Sequence, residues 1–171
     1  MDIIIRKVLS EEAYKYTSLH IACWQDAYKG IIPEYYLTHM IEETEDRTER
    51  MRKSLVNPGE SKFYCVEIDN EMIGRLIICK SRDIDKPDAG EVAAIYLLKK
   101  YWNKGYGQRI MSFALEELKN DGYTEVILWV LAENRRAIRF YEKCGFALES
   151  NTNKIFDAGI PLEEVRYTLH F

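Results

Sequence analysis

Four cysteines and three histidines are too few and too scattered to build a disulfide scaffold or a zinc module. Cys23, Cys65, Cys79 and Cys144 include no C-x-x-C pair and have no histidine at zinc-ligand spacing. His20, His39 and His170 stand alone, so no metal site is expected. A basic excess is also missing. The 24 Lys and Arg against 28 Asp and Glu leave a net charge of −4, which argues against nucleic acid. The balance fits a cationic substrate without establishing one. The longest apolar run, Val126 to Ala132, is too short to span a bilayer. The N-terminus lacks the basic-then-apolar order of a signal peptide, so no membrane partner and a cytoplasmic location are expected. No repeat, low-complexity tract or linker divides the chain, and residues 1–171 are expected to form a single domain. The glycine pair Gly105 and Gly107 lacks the third glycine of a Rossmann fingerprint, and no Gly-Lys-Ser/Thr P-loop occurs.

What is present is a glycine-punctuated turn between a strand pattern and a helix pattern. Glu91 to Leu97 reads as a strand, and Tyr101 to Ile110 leads into a helix with an apolar stripe at Ile110, Met111, Ala114, Leu115 and Leu118. Glycines let the backbone take positive φ and approach a ligand closely. Backbone N–H groups at the helix start then point into the gap, aided by the helix dipole, which suits a phosphate. Lys104 adds a mobile positive charge. By itself such spacing fits a plain helix start as well.

Elsewhere, Ile3 to Val8 reads as a strand and Ser10 as the cap of a helix to about Lys29. Gly30 ends that helix, and a second helical region spans Pro33 to Val56. Lys62 to Ile68 and Met72 to Ser81 form a hairpin. Glu125 to Ala132 is apolar on both faces, as a central parallel strand is. Asn134 caps a helix to Lys143, a strand covers Phe146 to Glu149, Asn151 to Leu162 is a loop, and Val165 to Phe171 is the last strand. The order β-α-α-β-β-β-α-β-α-β-β is that of an α/β sandwich with a mixed sheet.

Two segments carry a family resemblance. Trp102-Asn103-Lys104-Gly105-Tyr106-Gly107 occupies a Gln/Arg-x-x-Gly-x-Gly/Ala signature, and Asn134 to Phe146 ends in Phe140-Tyr141-Glu142-Lys143-Cys144-Gly145-Phe146. Together with the element order they resemble the GNAT superfamily of acetyl-CoA-dependent N-acetyltransferases, over about the last half of the chain. The match departs at Trp102, where Gln or Arg is usual, which leaves phosphate recognition to the backbone. The resemblance implies a mixed sheet with a splayed central strand pair and helices on both faces. It implies that backbone groups of Ile95, Tyr96 and Leu97 pair with pantetheine, that Trp102, Asn103, Lys104, Gly105, Tyr106, Gly107 and Gln108 surround the pyrophosphate, and that Asn134 adds a polar cofactor contact beside its role as a helix cap.

Catalytic roles follow from the same resemblance. Tyr141 would protonate the departing CoA thiolate, although a packed core aromatic also fits it. Glu91 stands where many such enzymes carry a catalytic carboxylate, and would take the proton of an amine that is protonated at neutral pH; a solvated strand-edge carboxylate is the other reading. A strand N–H near Tyr96 or Leu97 would stabilise the oxyanion. Direct transfer needs no acyl-cysteine at Cys144. Trp24 and Tyr28, with Tyr35 and Tyr36, would wall a cationic acceptor by cation–π attraction, or else pack on the sheet. The implied activity is acetyl transfer to a primary amine, of a small molecule such as a polyamine or of a peptide. A non-catalytic acyl-CoA-binding protein on the same fold is the alternative. A homodimer rests on family analogy alone.

Overall fold

Seven strands form one sheet in the order β1-β2-β3-β4-β5-β7-β6 in the computed structural model, which describes residues 2–171. The strands are β1 (Ile4–Lys7), β2 (Lys62–Ile68), β3 (Glu71–Lys80), β4 (Gly90–Leu97), β5 (Glu125–Leu131), β6 (Ala147–Asp157) and β7 (Pro161–His170). The helices are α1 (Ala13–Ala27), α2 (Glu34–Glu42), α3 (Thr44–Val56), α4 (Tyr106–Asn120) and α5 (Arg135–Lys143). All strand pairs are antiparallel except β4 with β5.

The helices cover both faces because the buried positions of the strands alternate between two cores. On one face Ile110, Met111, Ala114 and Leu118 of α4 and Ile138 of α5 pack against Leu76, Val92, Val126 and Leu128. Each fully buried aliphatic side chain there is worth roughly 2 kcal/mol. On the other face Tyr16, Leu19 and Cys23 of α1 pack on Cys65 and Met72, while Ile21 joins Leu37 and Met40 of α2 over Leu131 and Leu162. Among the described residues no helix is long and apolar enough to cross a membrane.

Three expectations change. Ser10 does not cap α1; it lies in a single 3-10 turn, Ser10–Glu12, where the Glu12 carboxylate accepts the Leu9 N–H at 2.9 Å. Glu12 is drawn there by Arg6, which also holds Glu67, and a longer carboxylate reaches this pairing where a serine does not. The region from Pro33 to Val56 is two helices, α2 and α3, hinged at Glu43. The stretch read as a loop, Asn151 to Leu162, is mostly strand. β6 runs on to Asp157 and pairs with β7 from Asn153↔Val165 to Asp157↔Pro161. The ladder is made by main-chain groups, so an edge strand with polar outward side chains gives little sequence signal. A register shift between Leu148 and Asn153, with Asn151 at φ 61°, further blurs the alternation. β5 is central and apolar as expected. Its long partnership, however, is the antiparallel one with β7, and only a short parallel contact joins it to β4.

Candidate functional site

That short contact creates the site. β4 and β5 are paired only at Gly90↔Val126 and Glu91↔Ile127, and then diverge. β5 cannot follow β4, because its other edge is tied to β7 from Glu125↔His170 to Leu131↔Glu164. Beyond Glu91, β4 has β3 on one side and no strand partner among the described residues on the other. Main-chain groups at such an edge need a partner, and an extended ligand supplies one by strand addition. A cavity of about 450 Å³ fills the opening.

A bulge in β4 sets the side-chain directions. Ile77 pairs with Ala94 and Ile78 with Val92, leaving Ala93 unopposed. Val92 before the bulge and Ile95 and Leu97 after it all pack on the α4 side. Tyr96 therefore faces α1, where it joins the α1 core. Without the extra residue the alternation would put Tyr96 on the α4 side instead.

The glycine turn lies at the end of the opening. Asn103 and Gly105 take positive φ, 58° and 81°, and Gly105 is the N-terminal cap of α4. No side chain caps this helix, and its first main-chain bond is the Arg109 N–H to the Gly105 carbonyl. The preceding N–H groups remain as donors for an anion. Gly107 is needed for a different reason. A Cβ there would lie 3.1 Å from the Phe140 ring, so its absence lets α4 approach α5 closely. The Trp102 indole N–H donates to the Leu97 carbonyl at 2.8 Å and ties the turn to β4. That carbonyl, expected to serve pantetheine, thus already has one partner. Lys104 lies with its ammonium 5.5 Å from the Tyr101 ring centroid, and Tyr106 packs edge-on against the same ring. Asn103 and Gln108 are exposed at the turn.

The departure at Trp102 has a structural counterpart that the sequence did not single out. The Arg136 guanidinium stacks on the Trp102 ring, 3.6 Å from its centroid, and lines the cavity. Among the described residues it forms no ion pair, and burial lowers its pKa, with Tyr141 and Tyr28 acting in the opposite direction. Its position directly after the Asn134–Arg135 pair was the available signal; what hid it was that its partner ring lies far away in the sequence.

Asn134 is buried, and its Oδ1 accepts the Ala137 N–H at 3.1 Å, confirming the cap at the start of α5. The amide also lines the cavity, leaving its NH₂ end without a partner among the described residues. Tyr141 projects from α5 into the same cavity, with its ring beside Phe140 and Phe146. Its hydroxyl has no hydrogen-bond partner among the described residues. Burial raises its pKa, Tyr96 adds to this, and Arg136 opposes it. The phenol therefore stays protonated at neutral pH.

On the α1 side, Trp24, Tyr28 and Tyr96 form an aromatic wall. Trp24 and Tyr28 meet edge-on at 4.7 Å, and the Tyr28 and Tyr96 hydroxyls are 2.9 Å apart. Phe156 of β6 closes the wall against Trp24 at 6.0 Å. His20 lies beside Trp24 and Tyr96, and burial pushes its pKa well down, keeping it neutral. Tyr36 meets Phe156 edge-on, and Tyr35 donates to the Ala158 carbonyl; neither lines the cavity.

Glu91 lines the cavity but is only 2% exposed, and Arg82 occupies both its oxygens. Arg82 Nη2 donates to Oε1 at 2.5 Å, while its Nε and its backbone N–H donate to Oε2 at 3.1 Å. A second acid, Glu164 of β7, lines the same cavity. It lies between the stretch read as a loop, which ends at Leu162, and the strand expected from Val165.

The chain is similar to known proteins in sequence and in fold. The family model described as Acetyltransferase (GNAT) family matches residues 24–146. A probable N-acetyltransferase of Mycobacterium tuberculosis is 26% identical over 151 residues, covering 88% of this chain and 83% of its own. An uncharacterised N-acetyltransferase of Bacillus subtilis is 26% identical over 165 residues, covering 95% and 90%. Among solved structures, the PaiA N-acetyltransferase of Thermoplasma acidophilum in complex with coenzyme A superposes with a TM-score of 0.81 at 22% identity, covering 100% of both chains.

Proposed function

The chain belongs to the GNAT family of acetyl-CoA-dependent N-acetyltransferases, and we propose from that premise that its opening between β4 and β5 delivers an acetyl group to a primary amine held against the aromatic wall. The observation that carries this reading is the unpaired edge of β4 running from the glycine turn to the free Tyr141 hydroxyl. The residues present suit acetyl-CoA. The edge of β4 offers main-chain partners to pantetheine, the open start of α4 offers N–H groups to pyrophosphate, and Asn134 offers an amide. Acetyl-CoA supplies the activated thioester carbon.

The chain's own groups do the rest. The wall of Trp24, Tyr28 and Tyr96 excludes water and favours a cationic nitrogen over the ring faces. Tyr141 donates its proton to the sulfur as the C–S bond breaks. Its raised pKa does not prevent this, because a thiolate forming in the same poorly solvated space is also destabilised and becomes more basic. Glu91, expected as the base, has both oxygens bonded by Arg82. The acceptor is an amine of a small molecule or a peptide.

A panel of polyamines, amino acids, aminoglycosides and peptide N-termini, followed by release of the CoA thiol, tests the reading. Turnover with one amine class is expected. A rise in melting temperature with acetyl-CoA but no thiol release with any amine would favour a non-catalytic acyl-CoA-binding protein.

Arg136 gives a further prediction. It takes over at the pyrophosphate the charge that Trp102 does not carry, and a charge-assisted hydrogen bond is worth about 1.5–3 kcal/mol. Arg136→Ala is expected to raise the KM for acetyl-CoA about tenfold, the effect of about 1.4 kcal/mol, with the amine KM unchanged. An unaltered acetyl-CoA KM would assign Arg136 to packing on Trp102 alone.

A further inference from the structure

The cavity holds one carboxylate that no cation neutralises. Glu164 pairs across β7 with Leu131 of β5 and Lys154 of β6. It shares the α1 side of the sheet with Leu162, two residues before it. Lys154 of β6, Arg82 of the β3–β4 loop, Glu91 of β4 and Tyr28 at the C-terminal cap of α1 line the cavity with it and interact with it electrostatically. The register partner of Glu164 on β5 is apolar Leu131.

Both cations are engaged elsewhere. Arg82 grips Glu91, and Lys154 bonds Asp83 at 2.9 Å with its ammonium 3.9 Å from the Trp129 ring centroid. Glu164 forms no ion pair among the described residues. Burial pushes its carboxyl above the ordinary range; Lys154 and Arg82 pull it back and Glu91 adds to the rise. Tyr28, Glu164 and Tyr141 all line this one cavity.

We propose that Glu164 is the catalytic base for acetyl transfer, receiving the proton of the acceptor ammonium, while Glu91 holds Arg82 at the cavity wall. The inference rests on the acetyl-transfer reading above. An unpaired carboxylate beside aromatic rings attracts the ammonium first and then removes its proton, directly or through one water. The nitrogen lone pair so freed forms the N–C bond. The C–S bond breaks with its electron pair on sulfur, which takes a proton from Tyr141. Two protons leave the nitrogen in all: one is balanced by the thiol formed through Tyr141, and the other passes to solvent. Ammonium and thioester thus become amide, thiol and one free proton.

The test compares wild type, Glu164→Gln and Glu164→Asp on an aliphatic amine that the wild type acetylates and on a weakly basic fluorinated ethylamine, already unprotonated at neutral pH. A thermal shift with acetyl-CoA checks that each variant folds and binds the donor. Glu164→Gln is expected to lower kcat on the aliphatic amine about tenfold and to flatten the rise of kcat/KM with pH, with under threefold loss on the weakly basic amine. Glu164→Asp is expected to recover part of the rate. A wild-type kcat and pH profile in Glu164→Gln would overturn the inference, as would equal losses on both amines. Loss of the pH limb in Glu91→Gln but not in Glu164→Gln would return the role to Glu91. A wild type silent toward every amine while binding acetyl-CoA would remove the acetyl-transfer reading, and Glu164 as base with it.

Discussion

Tyr141→Phe is expected to lower kcat about a hundredfold, at the low end of the range for lost acid catalysis, with the acetyl-CoA KM within about twofold of wild type. The variant isolates the hydroxyl. The ring sits beside Phe140 and Phe146, at 5.4 and 6.3 Å between centroids, and a phenylalanine keeps those contacts. The hydroxyl has no partner among the described residues, so its removal strands no donor or acceptor, and the melting temperature should hold. The measurement is single-turnover acetyl transfer, which reads the chemical step apart from product release. An unchanged single-turnover rate would return Tyr141 to a packing role. A rate loss matched by an equal rise in KM would instead indicate that the hydroxyl binds the donor.

The largest stability effect is expected at Arg166, whose side chain is only 2% exposed. Its guanidinium reaches three carboxylates: Asp83 at 2.9 Å, Asp85 at 2.6 Å and Glu149 at 2.9 Å. Asp83 also accepts the Trp129 indole N–H at 2.8 Å and pairs with Lys154. The network therefore holds Trp129 and Lys154, which line the cavity with Glu164. Arg166→Met keeps the bulk but leaves buried Asp83 short of a cation. Breaking such a pair from one side costs about 3 kcal/mol, or a drop of roughly 10 °C in Tm, readable by urea or thermal unfolding. A change under about 1 kcal/mol would show that Lys154 and Trp129 suffice for Asp83.

The pH dependence of that difference has a definite sign. Burial alone would raise the Asp83 carboxyl, but its bonds from Lys154, Arg166 and Trp129 outweigh this and hold it low. The bond from Arg166 brings Asp85 from 3.8 to about 2. A lowered folded pKa gives stability that is present above the ordinary value and lost as pH falls through the folded one. The gap between wild type and Arg166→Met should accordingly narrow between about pH 4 and pH 2. A gap constant across that window would assign the loss to packing.

Legibility in the sequence followed the range of the interaction that fixes each feature. The Gly105–Gly107 turn, the apolar stripe of α4 and the Asn134 cap are local, and each was read to within a residue or two. Ser10 misled because the Glu12–Arg6–Glu67 network, reaching from β1 to β2, took over the entry to α1. The β6–β7 hairpin was missed because backbone pairing, not side-chain alternation, holds that edge. Glu164 stands just before the strand expected from Val165, with no motif of its own to mark it. Arg136 escaped notice because its partner, Trp102, stands on another element.

The sequence by itself determined the order of the strands, the glycine turn that opens α4 and the family, since each is written in spacing along one stretch of chain. Only the tertiary structure decided which acid is free. Glu91 and Glu164 look equally available in one dimension. In three, Arg82 folds back onto Glu91 while Lys154 turns toward Asp83 and Trp129, leaving Glu164 unneutralised. The difference is one of charge pairing across strands, and nothing in the spacing of either residue along the chain encodes it.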